Sequence, residues 1–562
     1  MHGRRGPIAR EEGQMADRLI RIQGMSCVHC ETTVAQSLTA AGARNVVADW
    51  RRGQALLDAT SASDDQLFAA VEGAGYLVVS IEEPEREQQG LEPAVGDGSR
   101  AYDLVVLGSG SAAFAAAITA TEAGARVALV ESNVVGGTCV NVGCVPSKAM
   151  LAPAEAYFRA GHHPFVGIAT SENGFDLGAL VDSKTELVER LRAEKYVDLA
   201  ADYGFTICPG RAEFADAVSV LCGRERITAG SFLVATGASP AVPPIPGLLE
   251  AGYLTSTTAL ELREPPRRLV VLGAGPVGLE LGQLFLHLGS EVTFITRGRV
   301  APREEPETSE ALRPVLEEEG ARVFTGAQVR AVHRDGVERS VVFTVDGEEH
   351  RVAADHVLVA AGRRPNTRGL GLERAGVEVT ERGAVRVDDG LRTSNPRVWA
   401  AGDVTGHPQY VYVAAQEGSL AARNAISGTE LKVDFRALPR VIFTNPTMAA
   451  VGLTDEQAAA QGIACECRVL PMSAVPRALV NRDTRGFVKI VAEAGTGRIV
   501  GATVVADGAG DVIQAAVYAV QFGLTTDQVA STWAPYLTFA EGFKLAAQTF
   551  KRDVSRLSCC AA

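Results

Sequence analysis

The chain has 562 residues, 46% of them hydrophobic and 22% charged, and 67 Asp and Glu outnumber 54 Lys and Arg to give a formal net charge of -13. That composition excludes a disordered chain, the acidic balance argues against coating nucleic acid or a membrane surface, and the length implies roughly three or four folded units. Ten cysteines are too few for a disulfide-stapled secreted scaffold, and their close pairing points to redox or metal chemistry in a reducing compartment, the cytoplasm.

The opening MHGRRGPIAREEGQ has no apolar run behind its arginines, so no secretory signal is expected. Residues 16–82 read as a strand (19–22), a helix after Cys30, two strands (45–48 and 55–58), a helix (64–73) and a strand (77–81). This is a βαββαβ, ferredoxin-like pattern. Cys27 and Cys30 stand at its first strand-to-helix turn, with His29 between them expected at the surface. Residues 83–101 are charged and rich in Pro, Gly and Gln without apolar periodicity, and are expected to be a flexible linker.

Residues 104–120 are the most apolar stretch, but Gly108, Ser109, Gly110, Ser111 and Thr119 interrupt it, so it reads as a buried strand turning into a helix and not as a membrane span. The segment Val105-Val106-Leu107-Gly108-Ser109-Gly110 returns as Val270-Val271-Leu272-Gly273-Ala274-Gly275. Each copy runs on into an Ala- or Leu-rich helix and a second strand (127–130 and 292–295), the first half of a doubly wound, Rossmann-like α/β sheet. Gly108 and Gly110, and then Gly273, Gly275 and Gly278, let the backbone approach a pyrophosphate that helix N-terminal amides would meet. The residue closing the second strand separates the ligands. Glu131 offers a carboxylate to ribose hydroxyls, whereas the second copy has Thr296 followed by Arg297 and Arg299, which suit a 2′-phosphate and favour NADPH over NADH. From about residue 434 onward, strands such as 487–491 alternate with helices near 511–522 and 540–550 in an α+β unit.

Residues 136–148 read Gly136-Gly137-Thr138-Cys139-Val140-Asn141-Val142-Gly143-Cys144-Val145-Pro146-Ser147-Lys148. Two thiols so spaced beside glycine can close a small disulfide ring, and a helix N-terminus would stabilise a thiolate; on the residues alone, a structural disulfide or half of a metal site stays open. Joined with Ala113 in place of a third glycine, Glu131, Ala235-Thr236-Gly237, Ala361-Gly362-Arg363-Arg364-Pro365-Asn366 and Ala401-Gly402-Asp403, the segment resembles the flavoprotein disulfide reductases over nearly all of residues 102–562.

The resemblance implies FAD on the first copy, held by Gly108, Gly110, Ala113, Glu131, Gly137, Thr138, Lys148, Thr236, Gly237 and Asp403. It implies NADPH on the second, held by Gly273, Gly275, Gly278, Glu280, Arg297, Arg299 and Gly362. The FAD domain would comprise 102–250 and 367–434, the NADPH domain 251–366, and the dimerisation domain 435–562. Cys144 would lie against the flavin as a thiolate, Cys139 would be the outer sulfur, and Lys148 paired with Glu280 would sit near the reactive flavin nitrogen.

Where such reductases carry His-Pro-Thr-x-x-Glu, with a histidine supplied by the partner subunit, this chain has Ala534-Pro535-Tyr536-Leu537-Thr538-Phe539-Ala540-Glu541. A phenol with an ordinary pKa of about 10 is a poor proton shuttle at neutral pH, which argues against turnover of glutathione or lipoamide. Glu541 would orient Tyr536 or hold the interface. Three features remain: the terminal Cys559-Cys560, Cys27 and Cys30 in Gly24-Met25-Ser26-Cys27-Val28-His29-Cys30, and Tyr253 in Gly252-Tyr253-Leu254-Thr255-Ser256. The N-terminal motif resembles a heavy-metal-associated domain, and the whole resembles the mercury-reducing branch of the family. That resemblance implies thiol-bound Hg(II) as substrate, with Cys27, Cys30, Cys139, Cys144, Cys559 and Cys560 as its successive ligands. It also implies Tyr253 and Tyr536 in catalysis, and a homodimer whose subunits share each site. Two other readings are an NADPH-dependent reductase of protein disulfides with a Cys559-Cys560 shuttle, as in the large thioredoxin reductases, and a copper-handling protein whose N-terminal module is the working part. Cys208, Cys222, Cys465 and Cys467 lie outside any signature and read as small structural groups.

Overall fold

Alternating apolar residues build the N-terminal sheet, where Ile20 and Ile22 of strand β1 (Arg18–Gln23) share a core with Ala55 and Leu57 of β3 (Gln54–Asp58). The computed structural model describes residues 18–23, 28–49, 54–58, 62–74, 76–82 and 101–553, and the chain divides into two units, 1–99 and 100–562. The first unit runs β1, α1 (Val28–Ala40), β2 (Arg44–Asp49), β3, α2 (Asp64–Gly73) and β4 (Leu77–Glu82). Its antiparallel sheet has the order β2-β3-β1-β4. Val34 and Leu38 of α1, and Leu67 and Val71 of α2, each four residues apart on one helical face, close the core. A reciprocal capping box between Ser63 and Gln66 starts α2. Helix α1 begins at Val28, ahead of the expected start after Cys30. Cys27 lies outside the described residues, as do the Cys30 side chain and linker residues 83–100.

In the second unit, β5 (Tyr102–Leu107), α3 (Ser111–Glu122) and β6 (Val127–Glu131) follow the expected strand, glycine turn, helix and strand. Strands β7 (Thr206–Pro209), β8 (Ala212–Asp216), β9 (Ser219–Cys222) and β10 (Glu225–Val234) complete a sheet of order β7-β6-β5-β10-β9-β8. The sheet is parallel from β7 to the C-terminal half of β10, whose N-terminal half turns antiparallel to β9. Strand β5 is apolar on both faces because both are covered: Leu104 and Val106 join one core, Val105 and Leu107 another. The chain returns to this sheet late, when Val398–Ala400 pairs in parallel with β10.

The second copy is a parallel sheet of Arg322–Phe324, Glu291–Ile295, Arg268–Leu272 and His356–Val359, in that order, accompanied by an antiparallel three-stranded ribbon over residues 328–354. Its helix Pro276–His287 is buried from Gly278 onward. The last part is a five-stranded antiparallel sheet of Pro439–Ile442, Thr447–Gly452, Ile499–Ala506, Phe487–Glu493 and Cys465–Pro471, with helices Ala509–Phe522 and Glu541–Gln548 sharing its core. Among the described residues no helix is long and apolar enough to cross a membrane.

Candidate active site

Both glycine turns are built for backbone and not for side chains. Gly108 has φ +116°, and a Cβ there would lie 2.5 Å from the Ala235 carbonyl oxygen; a Cβ on Gly278 would lie 2.1 Å from the Gly273 carbonyl oxygen. Helix α3 and the helix Pro276–His287 start at Gly110 and Gly275 with no side-chain cap, which leaves their first amides to an anion. Ala113 is fully buried in α3. Glu131 closes β6, where Ser109 Oγ (2.6 Å) and the Asn133 amide (2.6 Å) donate to its two carboxylate oxygens. Ser109 also accepts from the Gly136 amide (3.2 Å), so it couples the first turn to the segment that leads to the thiols.

Cys139 lies in the short helix α4 (Gly137–Asn141), and Cys144 opens α5 (Cys144–Gly161) at a position where helix amides are unpartnered. Neither thiol is in a disulfide, and Cys144 is exposed. The neighbouring Cys139 thiol and the positive charge of Lys148 bring Cys144 down to about 7, against partial desolvation and the opposing charge of Glu280. The neighbouring Cys144, together with burial, drives Cys139 upward. The two thiols titrate as a pair, whose first proton comes off near neutral pH.

Lys148 Nζ lies 2.6 Å from Glu280 Oε2 and 4.4 Å from the centroid of the Phe443 ring. Glu280, itself buried, also accepts from the Phe443 amide (3.0 Å). Helix α5, the second copy's helix and the last sheet's approach thus meet at one carboxylate.

Asp403 sits in the short turn Gly402–Thr405 after Val398–Ala400, and burial raises its pKa against the pull of Arg363 (Nε to Oδ2, 3.6 Å). Arg363 further donates to Thr138 Oγ1 (3.4 Å) and to the Ala238 carbonyl. Thr236 and Asn366 exchange hydrogen bonds (Oγ1 to O, 2.7 Å; Nδ2 to O, 2.9 Å), which closes the Ala235-Thr236-Gly237 turn. Gly237 and Gly362 have positive φ and open space where a Cβ would stand. Sequence reasoning missed three of these groups as actors. Arg363 was within a quoted motif, whereas Phe443 and Glu417, whose buried carboxylate receives the Gly402 amide (2.7 Å) and pairs with His407 (2.6 Å), carried no local signal.

The remaining expected residues are dispersed. Thr296 is buried, Arg297 is exposed, and Arg299 spends Nη2 on the Glu304 carbonyl (2.6 Å), so the two arginines are not equivalent. Tyr253 packs on the second sheet's core. Tyr536 is half exposed, and Glu541 is buried and accepts from the Leu537 amide (3.3 Å). Cys208 and Cys222 lie against the core beneath the first sheet. Cys559 and Cys560 fall outside the described residues.

Residues 102–418 match the model of the pyridine nucleotide-disulphide oxidoreductases and 438–547 the model of that family's dimerisation domain. A mercuric reductase of Staphylococcus aureus is 50% identical over 549 residues, 96% of this chain and 98% of the relative. One from Streptomyces lividans is 54% identical over 466 residues, 82% of this chain and 98% of the relative. The chain belongs to the mercuric reductase family. Among solved structures, the HOCl-induced flavoprotein disulfide reductase RclA of Escherichia coli, in its Cu(II) complex, aligns with TM-score 0.72 and 30% identity over 81% of this chain and all of that one. LpdA of Mycobacterium tuberculosis aligns with TM-score 0.71 and 29% identity over 80% of this chain and all of that one.

As a mercuric reductase family member the chain uses FAD and NADPH, and its residues fit both. Each uncapped helix N-terminus suits a pyrophosphate, the Glu131 carboxylate keeps lone pairs for ribose hydroxyls, and the second strand end offers the exposed Arg297 and no carboxylate.

Proposed function

We propose that the chain is an NADPH-dependent mercury(II) reductase that takes thiol-bound Hg(II) onto Cys139 and Cys144 and releases Hg(0). The placement of the thiol pair carries the reading: Cys144 opens α5 with the Lys148–Glu280 pair one turn on, Cys139 stands just ahead of it in α4, and neither is in a disulfide. A complex Hg(SR)2 meets this pair when it carries one proton. Two Hg–S bonds break and two form, so the ion passes to the protein with release of RS⁻ and RSH, and it is never free. Two electrons then convert it to Hg(0) and leave both cysteine sulfurs as thiolates. FAD, when bound, supplies those electrons from NADPH. Lys148 holds positive charge beside Cys144, and Glu280 holds Lys148 in place.

In this reading residues 102–250 and 367–434 hold FAD through Gly108, Gly110, Ala113, Glu131, Gly137, Thr138, Lys148, Thr236, Gly237 and Asp403. Residues 251–366 hold NADPH through Gly273, Gly275, Gly278, Glu280, Arg297 and Gly362, with Arg299 bracing the loop through the Glu304 carbonyl. Tyr253 and Tyr536 border the metal's path. The strand order β2-β3-β1-β4 supports a ferredoxin-like, heavy-metal-associated N-terminal unit, with Cys27 and Cys30 as its ligands. Hg(II) would travel from there through Cys559 and Cys560 of the partner subunit to Cys139 and Cys144. A homodimer of residues 435–562 is supported by the exposed Trp533, Phe522 and Tyr518, apolar surface that a second subunit would cover. Dependence on NADPH and on reduced thiols suits the cytoplasm.

The test is an anaerobic assay of NADPH oxidation with Hg(II)-thiol complexes, glutathione disulfide and oxidised thioredoxin offered separately. Oxidation with Hg(II) alone, accompanied by volatile mercury, is expected; consumption only with a disulfide would overturn the reading.

A further inference from the structure

Cys465 and Cys467 take no part in the site above. They stand on Cys465–Pro471, the edge strand of the five-stranded sheet, two residues apart and so on one face, with the exposed Glu466 on the other. Their sulfurs are 3.9 Å apart. Both are half-buried against the apolar cluster of Ala458, Val491 and Val500. Burial and the neighbouring thiol push Cys467 up to about 12, so it is protonated and a weak nucleophile at neutral pH.

Thiols this close can be joined by a disulfide or by an ion. Residues i and i+2 of a strand stand about 6.6 Å apart, at the far end of the roughly 4.4–6.8 Å that a disulfide accepts between Cα atoms. The ladder pins both, Cys465 opposite Glu493 and Cys467 opposite Val491. Drawing the sulfurs together to about 2.05 Å would pull against that ladder. Two metal–thiolate bonds of about 2.3 Å each, the zinc value, span up to about 4.6 Å. Sulfurs already 3.9 Å apart therefore admit an ion after a small opening. Among the described residues no cluster of three or more His, Cys, Asp or Glu could hold a metal. An ion that demands four ligands is thus poorly served here, and a soft ion content with two is well served.

We propose that Cys465 and Cys467 form a second bis-thiolate site that binds Hg(II) without reducing it. The choice of cation rests on the function proposed above, whereas the site itself does not. Uptake from Hg(SR)2 is an exchange without redox change: two S–Hg bonds break and two form, and the two cysteine protons leave on two RSH. Both ligands sit on one strand, so the second bond forms at high effective concentration and single thiols are outcompeted.

Full-length, FAD-loaded protein is dialysed without NADPH against mercuric ion in excess glutathione, and bound mercury is counted per flavin. C465S/C467S is expected to retain one equivalent less than the parent, and C465S and C467S singly to lose the same equivalent. Equal stoichiometry in all four proteins, or a partial loss in each single variant, would overturn the proposal. So would a native Cys465–Cys467 disulfide found by alkylation and peptide mass. C465A/C467A is measured alongside, and NADPH oxidation with Hg(II) at the parental rate in both double variants shows that they fold. A parent that loses its equivalent on substitution but never reduces Hg(II) would sink the proposed function and leave this site standing.

Discussion

Lys148 Nζ donates to Glu280 Oε2 at 2.6 Å, an ion pair between residues far apart in sequence that joins the helix carrying Cys144 to the helix of the second glycine turn. The two charges act on Cys144 in opposite senses, the lysine lowering its pKa and the glutamate raising it. Their balance adjusts a thiolate population that the neighbouring Cys139 thiol and desolvation influence more strongly.

Alkylation of the reduced protein by iodoacetamide, followed at Cys144 by peptide mass, is therefore expected to rise through a midpoint of about 7. K148M removes the favourable charge and moves the midpoint upward. E280Q removes the opposing one while keeping an acceptor, and moves it down. Identical midpoints in all three proteins would refute the electrostatic account.

Glu280 also receives the Phe443 amide in a buried setting. E280A deletes the acceptor for both the amide and the lysine, and is expected to cost about 2–4 kcal/mol in denaturant unfolding, with E280Q costing less than half as much. Comparable losses in the two variants would show that the carboxylate's charge, and neither its volume nor its acceptor capacity, matters.

Arg297 is exposed, while Arg299 is committed to the Glu304 carbonyl. R297A is expected to raise KM for NADPH about tenfold, the worth of a charge-assisted contact to phosphate, with KM for NADH unchanged. R299A acts mainly on stability. Steady-state kinetics with both nucleotides distinguish the two, and an equal effect of R297A on NADH would remove phosphate recognition from its role.

Lys489, fully buried in the last sheet, lies 3.0 Å from Glu305, 2.8 Å from Glu307 and 2.9 Å from Asp455. K489M leaves the buried Glu305 without its cation, at a cost of about 3–5 kcal/mol near pH 8. Burial already raises the Glu305 pKa against the pull of Lys489. Without the lysine, protonation of Glu305 as pH falls relieves the stranded charge, so the gap between variant and parent should narrow toward pH 5. Thermal unfolding across that range provides the check, and a constant gap would contradict it.

Much of this was legible in the sequence because it is local. The two glycine turns depend on neighbouring residues, α2 runs over 64–73 as its pattern required, and β5 was recognisable as a buried strand from the apolar run 104–107. The closeness of Cys465 and Cys467 was not legible for the converse reason: the spacing places both on one face, but only the packing of the edge strand brings the sulfurs within 3.9 Å.

The sequence by itself determined the chemistry available to this protein: two anion-ready turns, closely spaced thiol pairs, a tyrosine where a histidine would shuttle protons, and arginines at the second strand end. These depend on residue identity and short spacing, which periodicity and backbone sterics make readable. The tertiary structure alone decided which groups feel one another. Lys148 meeting Glu280, Arg363 bridging Thr138 to Asp403, and Lys489 enclosed by three carboxylates are all contacts across long loops. Electrostatic coupling and desolvation depend on distance and burial in space, and neither is encoded in the spacing of residues along the chain.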